Sequence, residues 1–165
     1  MNSLHLVLYC DASYKNLHDG GSQGGHIVLL SDDDDNCCPI AWLSSRIKRV
    51  VHSTLAAETL SMIDGTNTAF YILKLLRDIV ECRQIIDVFT DNKSLYETTH
   101  SKKPCTDKRL RVDVSALKEM IERKEIVVKN VPGEEQLSDV LTKKGASPHG
   151  LLSVLRNGKL YMASK

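Results

Sequence analysis

The chain has 165 residues, of which 42% are hydrophobic and 26% charged, and a formal net charge of +1 at pH 7. This composition excludes a disordered or fibrous chain, and the length suits one compact domain around one core. No apolar run approaches the roughly 18 residues that span a bilayer, and the near-neutral balance leaves any nucleic-acid partner to be argued from local patches.

The opening "MNSLHLVLYC" lacks the basic start and small-residue cleavage site of a signal peptide, so an intracellular protein without a membrane partner is expected. Five cysteines without metal-ligand spacing read as thiols in a reducing compartment. "LHLVLYCDAS" is apolar on both faces, which predicts a central strand buried between two layers. "NLHDGGSQGG" is turn chemistry, "HIVLL" a second strand, "DDDDN" a solvated polar tip, and "CCPIAWLSS" a third strand on which Pro39 marks an edge. Trp42 is expected to pack in the core or at that edge.

From Ser53 the apolar spacing becomes helical, through Leu55, Ala56, Leu60, Ile63, Ala69, Phe70, Leu73 and Leu76, with Ser53 or Thr54 as the N-cap and a loosening expected at Gly65. "IIDVF" is a fourth strand and "NKSLYETTH" a short helix. "TDKRLRVDVSALKEMIERK" is an amphipathic helix with Leu110, Val114, Leu117 and Ile121 inward, and "EIVVKNV" is a fifth strand. "EQLSDVLTKK" reads as a final short helix. The order βββαβααβα implies an α/β domain over residues 1–146. Its five-stranded mixed sheet, three antiparallel strands and then two parallel ones, would be flanked by helices. Residues 147–165 form a tail with an apolar stripe, suited to docking as a short helix.

In such a sheet ligands gather at the carboxyl ends of the parallel strands. Asp11 and Asp91 end strands one and four, Glu58 lies one turn into the long helix on the Leu55–Met62 stripe, and Asp139 sits between Leu137 and Val140. Taken singly, each has a structural explanation: Asp91 as an N-cap, Asp11 in an Asx-turn, Glu58 answering the helix dipole, Asp139 as a solvated acid. Together, inward-facing acids repel unless a cation joins them. Oxygen donors suit two Mg²⁺ or Mn²⁺ ions acting on a phosphodiester.

The segments "LYCDASY", "WLSSRIKRVVHSTLAAETLSM", "VFTDNKSL" and "VPGEEQLSDVLTKKGA" carry these four acids in order. Here the chain resembles the ribonuclease H fold and, more closely, the ribonuclease H domain that ends the polyprotein of copia-type LTR retrotransposons. The resemblance implies an endonuclease that cuts the RNA strand of an RNA·DNA hybrid with two divalent ions, leaving 3′-hydroxyl ends. Asp11 would bridge both ions, Glu58 and Asp91 would hold the one beneath the leaving oxygen, and Asp139 would serve the one that activates water. It also implies a reverse transcriptase domain of the same polyprotein as partner and cytoplasmic retroelement particles, or the nucleus, as location. The histidine that many relatives carry before the last acid is absent from "NVPGEEQLSD".

For the nucleic acid, the stretch "GGSQGGH" offers close backbone approach, with Ser22 and Gln23 near RNA 2′-hydroxyls, or is simply a glycine-rich turn. Arg46 and Lys48 on one side and Lys108, Arg109 and Arg111 on the other are expected to contact phosphates without reading sequence. Ser13, Asn92 and Ser94 are expected to reach the backbone beside the acids. The same residues also suit another nuclease or integrase on this fold, or a nuclease-dead binding module.

Overall fold

A computed structural model describes residues 3–161. The strands β1 (His5–Ser13), β2 (Gln23–Ser31), β3 (Cys37–Arg46), β4 (Ile86–Thr90) and β5 (Ile126–Asn130) form one mixed sheet in the order β3-β2-β1-β4-β5. β1 to β3 are an antiparallel meander, whereas β4 joins β1, and β5 joins β4, in parallel. The expected meander followed by parallel strands is what forms. β1 is central and both its faces are covered. Leu6, Leu8 and Cys10 face one apolar cluster, Val7 and Tyr9 the other, each fully buried aliphatic side chain contributing about 1.5–3 kcal/mol.

On the first face lie α1 (Thr54–Leu76), α2 (Lys93–His100) and α3 (Arg111–Glu122), through Met62, Ala69, Leu95 and Leu117. The Ser53 hydroxyl accepts the Ala56 N–H at 3.0 Å and starts α1. α1 is unbroken at Gly65, contrary to the loosening expected there. This glycine is a point of close approach instead: a Cβ would stand 3.0 Å from Leu8 Cδ1 and 3.1 Å from His26 Cβ. α3 begins at Arg111, later than its polarity pattern suggests, because Asp107 makes a turn by accepting the Arg109 N–H.

The second face is covered by the segment after β5 and by α4 (His149–Asn157). Val154 and Leu160 are buried there against Ile27, Leu29 and Phe89, and Cys37 N–H donates to Gly158 O at 2.8 Å. "EQLSDVLTKK" is not an α-helix; residues 133–141 make two 3-10 turns, Gly133–Glu135 and Asp139–Leu141. Its polar side chains bind backbone and one another in place of helical pairing: Gln136 Nε2 donates to Cys10 O at 2.9 Å, and Ser138 Oγ donates to Gln136 Oε1 at 2.9 Å. β3 is an edge strand, with a register shift opposite Val28–Leu29 beside Pro39. Trp42 is 65% exposed on it, so it is not the packing residue expected.

Candidate metal centre and nucleic-acid cleft

β1 and β4 pair in parallel as far as Tyr9 and Phe89. Asp11 and Asp91 each lie two residues beyond that pair, at equivalent places on neighbouring strands, and so stand side by side. Asp91 is not the helix cap: Asn92 Oδ1 accepts the Leu95 N–H at 2.8 Å and caps α2, leaving Asp91 on the cleft. The Asp139 turn is brought in by Gln136, which anchors it to β1, and by Gly25. A Cβ on Gly25, the β2 partner of Asp11, would lie 2.8 Å from Leu141 Cβ and 2.9 Å from Thr142 Cγ2. The missing side chain is therefore where the turn crosses β2. From there the Thr142 hydroxyl donates to Asp11 Oδ2.

On the other side, Ser61 Oγ donates to Asp11 O at 2.7 Å and fixes α1 against the end of β1. Glu58, nearly one turn earlier, is thereby held at the strand tips. Asp11, Asp91 and Asp139 each offer one carboxylate oxygen within 4.8 Å of the others. Glu58 stands outside that trio but lines the same cleft, about 400 Å³ in volume, with Asp11 and Asp91.

The electrostatics are those of crowded, dehydrated acids. Burial, followed by the charges of Asp11 and Asp91, pushes the Glu58 carboxyl from 4.5 up to about 9, offset only in part by the Ala12 N–H and Lys143. Burial also raises the Asp11 carboxyl above the ordinary range, despite the Thr142 hydrogen bond and the Lys143 charge that pull it down. Asp11 Oδ1 and Glu58 Oε2 are buried with no hydrogen-bond partner among the described residues. Since each pKa unit is worth about 1.4 kcal/mol, the acids are held together against a substantial free-energy cost. A divalent cation fits this donor set: the oxygens are hard and converge at strand tips, and Asp11 Oδ1 and Glu58 Oε2 have no hydrogen-bond donor among the described residues.

Of the residues expected to meet nucleic acid, Ser13 and Asn92 line the cleft. Ser13 Oγ is buried and unpartnered among the described residues. Arg46 and Lys48 lie in a neighbouring hollow of about 340 Å³ that shares Tyr14 with the cleft and also holds Lys15 and Arg49. Arg46 is paired there with Asp19. Ser22 is buried and accepts the Lys15 N–H at 3.0 Å, and Gln23 Nε2 donates to Ser44 Oγ at 3.0 Å. Ser94 is exposed on the first turn of α2. Lys108 and Arg109 are exposed before α3, and Arg111 Nε donates to Cys105 O at 3.0 Å.

Gly25, Ser61, Gln136, Thr142 and Lys143 position the site and were not anticipated from the sequence. The one signal available for any of them was the Gly24–Gly25 pair, which reads equally as a turn.

No protein-family model matches the chain, and no curated protein matches it. Solved structures do. An RNase H1 isolated from compost, in complex with an RNA/DNA hybrid, superposes with a TM-score of 0.60 at 15% identity, over 83% of this chain and 93% of that one. The fold is that of ribonuclease H. The N-terminal RNase H domain of a Mycobacterium tuberculosis protein gives 0.59 at 20% identity, over 84% and 95%. RNase H1 from the archaeon Halobacterium salinarum gives 0.57 at 17%, over 90% and 98%. The ribonuclease H fold thus accounts for the sheet order and for the strand tips on which the acids converge.

Proposed function

We propose that the chain is a divalent-metal-dependent endoribonuclease that cuts the RNA strand of RNA·DNA hybrids. The observation that carries this reading is the convergence of Asp11, Asp91 and Asp139 within 4.8 Å, with buried carboxylate oxygens of Asp11 and Glu58 left unpaired, on a ribonuclease H fold. Asp11, Asp91 and Asp139, with Glu58 beside them, would hold Mg²⁺ or Mn²⁺. Bound there, two ions supply an activated water and charge stabilisation for the leaving oxygen.

The chain's own part is positional. β1 and β4 hold Asp11 and Asp91 on a rigid sheet. Ser61 and Gln136 lock the flanking elements to the carbonyls of Asp11 and Cys10. Ser13 and Asn92 line the cleft, and Lys15, Arg46, Lys48 and Arg49 in the adjoining hollow would supply phosphate contacts that set register without reading bases. The segments around the four acids, similar to those of copia-type elements, support a retroelement setting in which the domain works beside the reverse transcriptase of the same polyprotein, in cytoplasmic particles.

A second reading has its own observation. The Lys143 ammonium lies against Asp139 and Asp11 and neutralises part of the cluster, as a nuclease-dead binding module would require. Incubating wild type and Asp91→Asn with labelled RNA·DNA hybrid, duplex DNA and single-stranded RNA, in Mg²⁺ and then Mn²⁺, separates the readings. Hybrid-selective cutting by wild type alone supports the nuclease. Cutting of duplex DNA instead assigns another nuclease of this fold, and no cutting by a folded wild type supports the binding module.

A further inference from the structure

Lys143 enters the acidic site from the turn that carries Asp139. Thr142 N–H and Lys143 N–H both donate to Asp139 O at 3.1 Å, so the chain closes on itself and returns Lys143 over the acid. Its Nζ is bonded to Asp139 Oδ1 and stands 3.5 Å from Asp11 Oδ2. One ammonium therefore touches two of the three acids that a metal ion would join. Lys143, and not Asp139, forms the wall of the cleft.

The two ends of this ion pair differ in freedom. The Asp11 side chain is 1% exposed and cannot withdraw, whereas the Lys143 side chain is 41% exposed and has a way out to solvent. A half-exposed pair between mobile groups is weak. Here one member is fixed, and a divalent ion offers the buried oxygens twice the charge of the ammonium.

Resting on the metal-site reading above, we propose that Lys143 is an internal counter-ion. Its ammonium occupies the cation position while the site is metal-free, restrains the repulsion among the acids, and is displaced into the cleft when a divalent ion binds. The lysine then sets a threshold for metal loading, because the binding-competent state is only the fraction in which Lys143 has swung away.

The test uses Mn²⁺ alone as ligand, titrated calorimetrically into the full chain and into Lys143→Met and Lys143→Arg, with thermal melts in EDTA and in saturating Mn²⁺. If about a tenth of wild-type molecules have the site open, removing the lysine tightens Mn²⁺ binding about tenfold. In EDTA, Lys143→Met melts about 2–4 °C below wild type, and the gap closes in saturating Mn²⁺, which a merely structural lysine would not produce. Lys143→Arg restores the EDTA melting point. Equal Mn²⁺ affinity in wild type and Lys143→Met overturns the counter-ion and leaves the metal site standing. Absence of binding in both overturns the counter-ion and the metal site together.

Discussion

The molecule holds two groups of four acids, and they behave oppositely. Asp32, Asp33, Asp34 and Asp35 are contiguous in the β2–β3 turn; Asp11, Glu58, Asp91 and Asp139 come from four distant segments. In the turn, Asp32 accepts the N–H groups of Asp34 and Asn36 at 2.9 Å each, and Asp33 Oδ2 accepts the Ser3 N–H at 2.8 Å, all in exposed positions. Hence Asp32 satisfies the backbone of its own turn and Asp33 that of the segment before β1. At the strand tips Asp11 and Glu58 are buried, burial raises the pKa of both, and each leaves one oxygen unpaired among the described residues. What marks a cation site is burial without an internal donor; density of charge along the chain does not.

Substitutions sharpen this contrast. Asp91→Asn is expected to lower hybrid cleavage by on the order of 10²–10³-fold or more, whereas Asp32→Asn leaves it unchanged; single-turnover assays on labelled hybrid read both. Saturating Mg²⁺ at about 100 times its Kd should stabilise the wild type by about 2.7 kcal/mol and Glu58→Gln by less, with Asp32→Asn matching wild type in parallel melts.

The metal-free protein should also lose stability with rising pH. Glu58 holds its proton more tightly folded than unfolded, so its penalty is absent below about 4.5, grows as pH rises, and levels off above about 9. The slope in that window reaches about 1.4 kcal/mol per pH unit, and Asp11 adds in the same direction. Urea unfolding in EDTA at several pH values checks this, and Glu58→Gln should flatten the curve.

Gly25→Ala should cost about 1–3 kcal/mol by overpacking against Leu141 and Thr142, and should weaken Mn²⁺ binding by displacing the Asp139 turn. The smallest effect is expected at the acidic turn, where Asp32→Ala should cost about 1 kcal/mol in stability through lost hydrogen bonds and leave Mn²⁺ binding untouched.

These two regions also show what a sequence can disclose. β1 was legible because Leu4, Leu6 and Leu8 on one face and Val7 and Tyr9 on the other are apolar, and Asp11 and Asp91 because each follows the apolar body of a strand. Asp139 was legible as an inward acid, but its element was not. The i, i+3, i+4 spacing of Leu137, Val140 and Leu141 reads as helix, and nothing local reveals that Gln136 will reach Cys10 O, 126 residues away. Lys143 follows Asp139 by four residues, a spacing that on a helix surface makes an ordinary pair; its approach to Asp11 depends on the 3-10 turn. Gly25 sat in a run that reads as a hairpin loop, whereas its role comes from a segment more than a hundred residues later crossing its face. Trp42 failed for a related reason: edge strands expose one face wherever nothing crosses them, and hydrophobicity alone does not tell which.

The most direct test of the shared-cation site is anomalous diffraction from crystals grown with Mn²⁺. Manganese peaks bounded by Asp11, Asp91 and Asp139, with the Lys143 ammonium moved off Asp139, are the predicted result. Crystals with no manganese there and Lys143 still seated between Asp11 and Asp139 would contradict it.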